Sequence, residues 1–482
     1  MIAPRLRRLD RRIPARAGAA LSRVRTPCWA EPLHVAAFPL VAGPSFRGTR
    51  RVLEASQRWS PAQVEELSLR GLRTVLRTAY DGSPYYRRLF DGAGLRPSPS
   101  TTPEELRRLP LLDKETVRAR LAELQVAGAD RRGAGTRLTS GTTSPPFTFP
   151  ESASAWGFDA AFAHRWMGWH GCRIGERVAQ FRVRAGRHTV DYNPLTNVLT
   201  FSVRGLDAAT VRAILEEVAA FSPVALRGYP SVLTTLASEV ACGGPVALPR
   251  LRRVFTYGES LSPRAAAAIG GAFGVPVADF YAMSERAALF QQCPRGGLLH
   301  VMCEYAHVEL LREDGAPAAA GERATVVGTG FANRLLPFVR YATGDWVVPA
   351  AEAPCPDCGR PYRSVEAVEG RDGDFVKTPS GAWVSPTALE LDDMPDVAVV
   401  DFCYRQTGLR TVVLEVVPGP GFTPAHGERV AAWACTWLDD PGMEVRLEVV
   451  PAIVRAPGKR RFVVSDVPGP LDVWPGGAGE RA

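Results

Sequence analysis

The spacing of apolar residues predicts helices and strands that alternate through the middle of the chain. Between residues 61 and 80 apolar side chains recur with the period of a helix, and Ser60 followed by Pro61 is typical of a cap and a first turn. A second helical stretch, rich in aromatic residues, lies around 151–170. Further along, helices are predicted at 208–220, 230–241 and 263–273, and strands at 224–228, 252–257 and 275–280. Strands that alternate with such helices form parallel sheets covered by helices, so this region is predicted to be α/β.

The pattern changes near residue 305, where short apolar runs follow one another without helices between them. Strands are predicted at 307–311, 324–328 and 338–341, then at 397–404 and 411–417, with a helix near 427–438. A chain of 482 residues exceeds the size of one ordinary core, so more than one domain is expected. We predict a basic N-terminal extension and linker (1–60), a large α/β domain with a smaller strand-rich subdomain (61–370), a small α+β domain (371–466) and a disordered Pro/Gly-rich tail (467–482).

The composition is that of an ordinary globular protein, with 46% hydrophobic and 22% charged residues. No run approaches the roughly 18 apolar residues that span a bilayer, so no membrane partner is expected. The nine cysteines are odd in number and scattered through a long chain. This usage favours a reduced, cytoplasmic setting over a disulfide framework.

The formal net charge of +8 comes mostly from the start of the chain. Residues 1–25 hold eight arginines and one acidic residue, Asp10. An Arg-rich, acid-poor start is typical of an organelle transit peptide or of a disordered basic tail, and the arginine-rich usage of the whole chain favours the tail. No basic stripe interleaved with aromatic residues follows, so nucleic acid is not the expected partner.

A run of hydroxyl residues around one glycine is the first candidate for chemistry. It reads Thr139-Ser140-Gly141-Thr142-Thr143. Small residues let several N–H groups converge on an anion while the hydroxyls donate further hydrogen bonds, which suits the phosphates of a nucleotide. No Gly-Lys-Ser/Thr follows, so the run is not a Walker loop. Judged alone, it could also be a Ser/Thr-rich surface loop.

Five further motifs follow in a fixed order. They read Phe-Thr-Tyr-Gly-Glu (255–259), Asp-Phe-Tyr-Ala-Met-Ser-Glu (279–285), Arg-Tyr-Ala-Thr-Gly-Asp (340–345), Gly-Arg-Asp-Gly-Asp-Phe-Val-Lys (370–377) and Pro-Gly-Lys-Arg-Arg (457–461). In this order and at these separations, the set resembles the acyl-adenylate-forming (AMP-binding) superfamily. Ser-Pro-Tyr-Tyr-Arg (83–87), the 109–114 stretch and Arg-Gly-Tyr-Pro-Ser (227–231) are most similar to its phenylacetate–coenzyme A ligase branch. The resemblance covers roughly residues 75–465.

The resemblance implies ATP-dependent activation of a carboxylic acid, by a large N-terminal adenylation domain and a small C-terminal lid domain. The 139–143 loop would hold the β- and γ-phosphates. Glu285 would coordinate Mg²⁺, a hard cation that prefers carboxylate oxygens. Asp345 would accept hydrogen bonds from the ribose hydroxyls. One departure is that Ser144-Pro145-Pro146 stands where relatives often have Gly-Lys-Pro, so the loop lysine is missing.

The remaining nucleotide contacts implied by the resemblance surround the adenine and the sugar. Tyr281 would stack on the adenine, Asp279 would lie near its amino group, and Gly258-Glu259 would follow its edge. Arg371 would lie by the ribose and phosphate. Outside this ordered set, the same motifs would be ordinary turns and helix caps.

Lys459 is the candidate catalytic lysine, because a mobile ammonium can neutralise charge that develops on the transferring phosphate. Gly458 permits close approach, and Lys459 lies where the family carries its lysine. Residues 370–373 would form the hinge about which the lid rotates between the two half-reactions. A solvated basic turn is the alternative interpretation of Pro-Gly-Lys.

A separate set of metal-binding residues is spread over the chain. Cys293 and His300 are followed some 55 residues later by Cys355-Pro-Asp-Cys358-Gly. Three thiolates and one imidazole would complete a closed, structural zinc site, and some relatives in this branch are similar at these positions. Cys303 could replace one ligand. The alternative is a reduced pair with an unrelated Cys293.

The resemblance therefore implies an enzyme that uses ATP and Mg²⁺ to convert a carboxylic acid, expected to be aromatic, into a coenzyme A thioester. Tyr229, Phe255, Tyr257 and Phe280 could line its pocket or could be core. One alternative is delivery of the acyl group to an amine or a carrier-protein thiol. A second is a nucleotide-binding homologue without catalysis, motivated by the missing loop lysine, and a third is nucleic-acid binding through the Arg-rich start. The oligomeric state stays open.

Overall fold

A computed structural model describes residues 31–138, 148–183, 189–203, 205–206, 208–259, 261–312, 314–369, 376–384, 394, 397–419, 421–453 and 463–467. Its helices are α1 (Glu31–Val41), α2 (Gly43–Ser56), α3 (Pro61–Gly82), α4 (Pro84–Gly92), α5 (Pro103–Leu106), α6 (Lys114–Ala119), α7 (Leu121–Leu124), α8 (Ala155–Trp169), α9 (Ala208–Phe221), α10 (Pro230–Gly243), α11 (Pro263–Phe273) and α12 (Pro424–Leu438). Within the described ranges, no helix is both long and apolar enough to cross a membrane.

The strands are β1 (Gly135–Leu138), β2 (Thr148–Glu151), β3 (Val178–Val183), β4 (Thr189–Asn193), β5 (Val198–Val203), β6 (Gly205–Leu206), β7 (Ala225–Gly228), β8 (Arg253–Tyr257), β9 (Val277–Ala282), β10 (Leu289–Gln292), β11 (Leu299–Val301), β12 (Ala306–Leu311), β13 (Ala324–Gly330), β14 (Tyr341–Ala351), β15 (Ser364–Glu369), β16 (Val376–Lys377), β17 (Trp383–Val384), β18 (Val399–Gly408), β19 (Thr411–Pro418), β20 (Glu444–Val449) and β21 (Val463–Ser465).

Twelve of these strands form one mixed sheet, in the order β12-β13-β14-β15-β11-β10-β9-β8-β7-β3-β5-β4. The neighbours β5, β3, β7, β8 and β9 run parallel, and the other pairs are antiparallel. The α/β prediction is confirmed, since helices α9, α10 and α11 cover the parallel part through a shared apolar core. The sequence predicted a separate strand-rich subdomain after residue 305. Its strands β12 to β15 instead continue the same sheet as the parallel strands.

Local capping explains where the long helix α3 begins. The Ser60 hydroxyl accepts a hydrogen bond from the Gln63 N–H, the Gln63 side chain bonds back to the Ser60 N–H, and Pro61 occupies the first turn. The buried face of the helix carries Val64, Leu72 and Leu76 at helical spacing. The predicted helix at 61–80 is thus confirmed.

The N-terminal boundary at residue 60 needs a correction. Residues 31–56 are not a linker, because α1 and α2 pack against the large domain with Phe38, Phe46 and Leu53 buried. A β-carbon on Gly157 of α8 would lie 3.0 Å from the Phe46 nitrogen, so the missing side chain lets the two helices approach closely. The cluster of eight arginines is confined to residues 1–25, whereas residues 31–56 contribute apolar side chains to the core.

A second correction concerns the strand predicted at 338–341. The strand begins only at Tyr341, because Arg340 has a φ of +51°, in the left-handed region that interrupts an extended chain. The predicted strands at 307–311 and 324–328 are confirmed as β12 and β13.

The C-terminal part forms a separate four-stranded sheet, in the order β20-β19-β18-β21. Its own apolar core includes Tyr404 and Leu414 of the sheet and Val430 and Ala434 of α12. The α+β expectation for this part is thereby confirmed. A small third sheet, β16-β17-β6, pairs Trp383 and Val384 with Leu206 and Gly205 of the large domain.

We expect Phe46→Ala to lower the free energy of unfolding of the large domain by roughly 3–5 kcal/mol, because it leaves a cavity under α2. Val52→Ala on the same helix is the control, since Val52 is 41% exposed and should cost less than about 0.5 kcal/mol. Chemical denaturation followed by circular dichroism measures both. Equal, small effects would show that residues 43–56 are not part of the core.

Candidate active site

Three adjacent parallel strands end at one edge of the large sheet. β7 ends at Gly228, β8 at Tyr257 and β9 at Ala282. In open α/β sheets, ligands bind outside the carboxyl ends of the strands. Most of the described residues with a predicted nucleotide contact lie at or just beyond these ends, so this edge is the candidate active site.

Gly258 makes the turn that follows β8. Its φ is +80°, a conformation that favours glycine. A β-carbon at this position would lie 2.6 Å from Cε1 of Tyr229, so a side chain here would collide with that ring. Gly258 is exposed, which leaves its backbone accessible at the site.

The Glu259 carboxylate holds the beginning of helix α10. Its oxygens accept hydrogen bonds from the Ser231 N–H and the Ser231 hydroxyl, each at 2.9 Å. A carboxylate at a helix N-terminus is stabilised by the exposed N–H groups and the helix dipole. Glu259 therefore stabilises the beginning of α10, in addition to its predicted contact with the edge of the adenine.

Asp279 lies on β9 beside Thr256 of β8, whose hydroxyl donates a hydrogen bond of 2.6 Å to it. The Asp279 N–H in turn donates to Gln292 at 2.7 Å. Burial raises the pKa of Asp279 to about 7, although the Thr256 hydrogen bond acts in the opposite direction. A carboxyl group at this edge therefore titrates near neutral pH.

Two carboxylates at the site each accept a hydrogen bond from a tyrosine hydroxyl. The Tyr281 hydroxyl donates to Asp345 at 2.7 Å, and the Tyr341 hydroxyl donates to Glu285 at 2.9 Å. Tyr281 comes from β9, Glu285 from the loop after it, and both partners come from the first half of β14. The structure thus brings the 279–285 and 340–345 motifs together. Tyr341 was missed as a site residue, although it lies inside the second motif.

A buried ion pair fixes the beginning of that second motif. The guanidinium of Arg340 forms two hydrogen bonds with Glu309, of 2.9 and 3.0 Å, and it also donates to the Leu109 carbonyl. The Arg340 N–H donates to the Thr329 hydroxyl at 3.0 Å. A two-pronged pair is geometrically specific, so it orients the residues that follow Arg340.

Glu285 is 8% exposed, and burial raises its pKa above the ordinary value. The Tyr341 hydrogen bond and the charge of Lys114 act in the opposite direction. Lys114 is itself buried at the beginning of α6 and is one of only three lysines in the chain. A metal ion would complete the charge balance of such a buried carboxylate.

Several predicted site residues lie outside the described residues. These are the loop residues Thr139, Ser140, Gly141, Thr142 and Thr143, together with Arg371 and Lys459. Their contacts with the edge formed by Gly258, Asp279, Tyr281, Glu285 and Asp345 therefore remain predictions.

The four predicted metal ligands converge. Cys293, His300, Cys355 and Cys358 have ligand atoms that all lie within 4.8 Å of one another. Cys293 directly follows β10 and His300 lies in β11, while Cys355 and Cys358 lie in the turn before β15. Close approach of the two segments depends on Gly296, where a β-carbon would collide with the Asp357 carboxylate.

These donors fit a tetrahedral zinc ion. Sulfur ligands at the usual Zn–S distance are about 3.8 Å apart, which is compatible with the observed spread. His300 Nε2 lies 3.4 Å from Cys358 Sγ, and its buried Nδ1 has no hydrogen-bond partner among the described residues. Burial and the charge of Arg360 lower the pKa of His300 to about 3, so the ring is neutral.

The chain is similar to known proteins that activate carboxylic acids as coenzyme A thioesters. Phenylacetate–coenzyme A ligase of Pseudomonas putida is 24% identical over 353 residues, which cover 71% of this chain and 78% of that protein. The ligase of the same name from Thermus thermophilus is 25% identical over 335 residues, with coverages of 66% and 72%. No family model matches the chain.

Among solved structures, a 2-hydroxyisobutyryl-CoA ligase in complex with 2-HIB-AMP and CoA has the same fold. Its TM-score is 0.60 at 20% identity, and the match covers 85% of this chain and 91% of that chain. The chain is thus similar over most of its length to phenylacetate–coenzyme A ligases, and it has the fold of a solved acyl-CoA ligase.

We expect Asp279→Asn to be more stable than the wild type near neutral pH. Because the pKa of Asp279 is raised in the fold, the unfolded chain loses this proton first, and folding stability falls as pH rises from about 4 to about 7. Asparagine can still accept the Thr256 hydrogen bond, and because it does not ionise, the variant does not lose stability as the pH rises. The variant should therefore gain up to about 4 kcal/mol over the wild type across this window, with no further change above it.

Urea denaturation of both proteins between pH 4.5 and 8 measures the difference. Asp440→Asn is the matched control, because hydrogen bonds lower the pKa of Asp440 to about 2, outside the window. Its difference from the wild type should be constant from pH 5 to 7. A pH-independent effect of Asp279→Asn would contradict the raised pKa.

Proposed function

We propose that the protein activates a carboxylic acid with ATP and transfers the acyl group from the resulting acyl-adenylate to coenzyme A. The observation that carries this proposal is the convergence of Asp345 with Tyr281 and of Glu285 with Tyr341 at the carboxyl ends of the parallel strands. The similarity to phenylacetate–coenzyme A ligases supports the same reaction.

The chemistry explains why ATP is needed. A carboxylate is a poor acyl donor, because its negative charge repels nucleophiles. Attack of a carboxylate oxygen on the α-phosphorus forms the acyl-adenylate and expels pyrophosphate. The thiol of coenzyme A then attacks the carbonyl carbon, gives its proton to solvent and expels AMP. Such transfers depend on positioning and charge stabilisation.

Asp345 is suited to hold the ribose of the nucleotide. A partly exposed carboxylate can accept hydrogen bonds from two vicinal hydroxyls, and the Tyr281 hydroxyl keeps it in place at 2.7 Å. Tyr281 would offer its ring to the adenine, and Asp279 would accept from the amino group. The backbone at Gly258-Glu259 would follow the edge of the base, and Arg371 would contact the ribose and phosphate.

Glu285 would hold the Mg²⁺ ion, which when bound neutralises part of the phosphate charge. The 139–143 loop would donate hydrogen bonds to the β- and γ-phosphates. Lys459, on the small domain, would approach the α-phosphate during adenylation and withdraw when the domain rotates about residues 370–373.

The acid is proposed to be aromatic. Tyr229, Tyr257 and Phe280 are half-buried at the strand ends and form a contiguous row, with ring centroids 5.2 and 5.7 Å apart. Phe255 is fully buried against Trp166 and belongs to the core. The half-buried rings offer an apolar surface to an aryl group.

The cluster of Cys293, His300, Cys355 and Cys358 is proposed to hold one structural zinc ion. A site with four protein ligands leaves no open position for a reacting water, so the ion would act on stability. It would join the β10–β11 hairpin to the turn before β15.

Acid-dependent exchange of labelled pyrophosphate into ATP tests the adenylation step. We expect exchange with at least one aryl acid, and consumption of the adenylate when coenzyme A is added. Lys459→Ala should reduce exchange on the order of a hundredfold, because it removes a preorganised charge at the reacting centre. Arg446→Ala, at an exposed site on β20, should leave exchange unchanged.

The outcomes separate the alternatives. Faster consumption of the adenylate by an amine or a carrier-protein thiol than by coenzyme A would replace the proposed acceptor. Absence of exchange across a broad acid panel would identify a nucleotide-binding homologue without catalysis. Normal exchange by Lys459→Ala would contradict the assigned role of that lysine.

We expect freshly purified protein to contain about one zinc ion per chain, and chelation to lower its melting temperature. Cys355→Ser should lose the metal and lower the melting temperature in the same way. Cys435→Ser is the control, since Cys435 is exposed and lies in α12. Elemental analysis and thermal melts measure both. Metal-free wild-type protein with unchanged stability after chelation would overturn the site.

A further inference from the structure

Arg227, on β7, carries a charge that no carboxylate of the described residues pairs. Its guanidinium donates to the amide oxygen of Gln180 on β3, and its buried Nε has no hydrogen-bond partner among the described residues. Gln180 is 3% exposed, and its amide nitrogen lies 3.2 Å from the Tyr257 hydroxyl. A neutral amide compensates a partly desolvated charge less well than a carboxylate does, so an anionic ligand would be favourable here.

Each of the four arginines that are buried in the described residues forms an ion pair with a carboxylate. Arg165 pairs with Glu304, Arg177 with Glu31, Arg286 with Glu151 and Asp159, and Arg340 with Glu309. Unlike these four, Arg227 stays partly exposed, so a ligand can reach it. Burial lowers the pKa of Arg227, and the nearby charge of Arg182 acts in the same direction, which would make an anion here favourable.

Arg227 lies where the strand order of the sheet reverses. From β3 the chain continues through the edge strand β4 to β5 on one side, and from β7 it continues to β8 and β9 on the other, while β3 and β7 are neighbours. The connections after these two strands leave in opposite directions, an arrangement that in open α/β sheets places a crevice between the two strands. Open α/β sheets bind their ligands at such a switch point.

Distance separates this crevice from the nucleotide edge. β7 is two strands away from β9, which carries Asp279 and Tyr281, and two inter-strand steps are about 10 Å. Arg227 therefore lies on a different strand from the residues that are predicted to stack on the adenine and to bind its amino group. The row of Tyr229, Tyr257 and Phe280 lies between the two places, where the aryl group of the acid is proposed to bind.

We propose that Arg227 binds a second carboxylate on the aryl acid, at the end of the ring remote from the reacting carboxyl group. Gln180 positions the guanidinium, the aromatic row holds the ring, and the reacting carboxyl points toward the nucleotide. The substrate class is therefore an aryl dicarboxylate. This inference rests on the proposed function, since it specifies the acid that the same site activates.

Pyrophosphate exchange with matched acids tests the inference. The pairs are phenylacetate with 4-carboxyphenylacetate, and benzoate with benzene-1,4-dicarboxylate. We expect the wild type to favour the dicarboxylate of at least one pair in kcat/KM by about 10- to 100-fold, the range of a lost charge-assisted hydrogen bond. In Arg227→Met the KM for the dicarboxylate should rise by that factor, while the KM for the monoacid changes less than about threefold.

Two further variants control for folding and charge. Arg227→Lys should keep part of the preference, because it retains the charge and loses the fork of donors. Arg253→Met removes another half-buried arginine at the opposite, amino end of β8 and should leave the preference unchanged. Melting temperatures of all three variants separate loss of fold from loss of selectivity.

An equal rise of both KM values in Arg227→Met would mean that Arg227 holds the reacting carboxylate, and it would overturn the inference. So would a wild-type preference for the monoacid in both pairs. Either result leaves the proposed function intact. Absence of exchange with every acid would overturn the proposed function and this inference together.

Discussion

The ion pair between Arg340 and Glu309 is the contact on which the candidate site depends most. Arg340 adopts a left-handed φ of +51°, and its side chain reaches the Glu309 carboxylate of β12 and the carbonyl of Leu109. Tyr341 and Asp345 follow directly, and each takes part in one of the two carboxylate–tyrosine contacts. Removing one partner of a buried pair leaves an uncompensated charge, so loss of either side chain is expected to destabilise this turn.

Charge is distributed unevenly along the carboxyl edge of the sheet. The Asp279, Glu285 and Asp345 side chains gather around β9 and β14, whereas the Arg227 guanidinium lies at the β3–β7 crevice. Burial raises the pKa of Asp279 and Glu285 and lowers the pKa of Arg227. A nucleotide with its metal and an anionic aryl acid would complement the two regions separately.

Local patterns predicted helices α3 and α8 to α12 and the strands β7, β8, β9, β12, β13, β18 and β19, because the signals of these elements are short-range. The cap at Ser60 and the apolar spacing after it can both be recognised within the sequence of one helix. Helices α10 and α11 likewise begin at the predicted residues, Pro230 and Pro263. Helix α2 was missed, since only Phe46, Leu53 and Ser56 are buried and too few apolar positions recur at helical spacing. Such a helix is stabilised by packing on α8, which no local window contains.

The sequence by itself determined the fold class and the residue types available for chemistry, and its ordered motifs indicated which known proteins it resembles. Periodicity and motif order can be recognised from the sequence alone. It also named the four metal-ligand candidates, although they are up to 65 residues apart. Only the tertiary structure decided which side chains meet: Tyr341 with Glu285, Glu259 with Ser231, and Arg227 with Gln180. These contacts join different strands and loops, so they depend on strand order and register, which local sequence patterns do not encode.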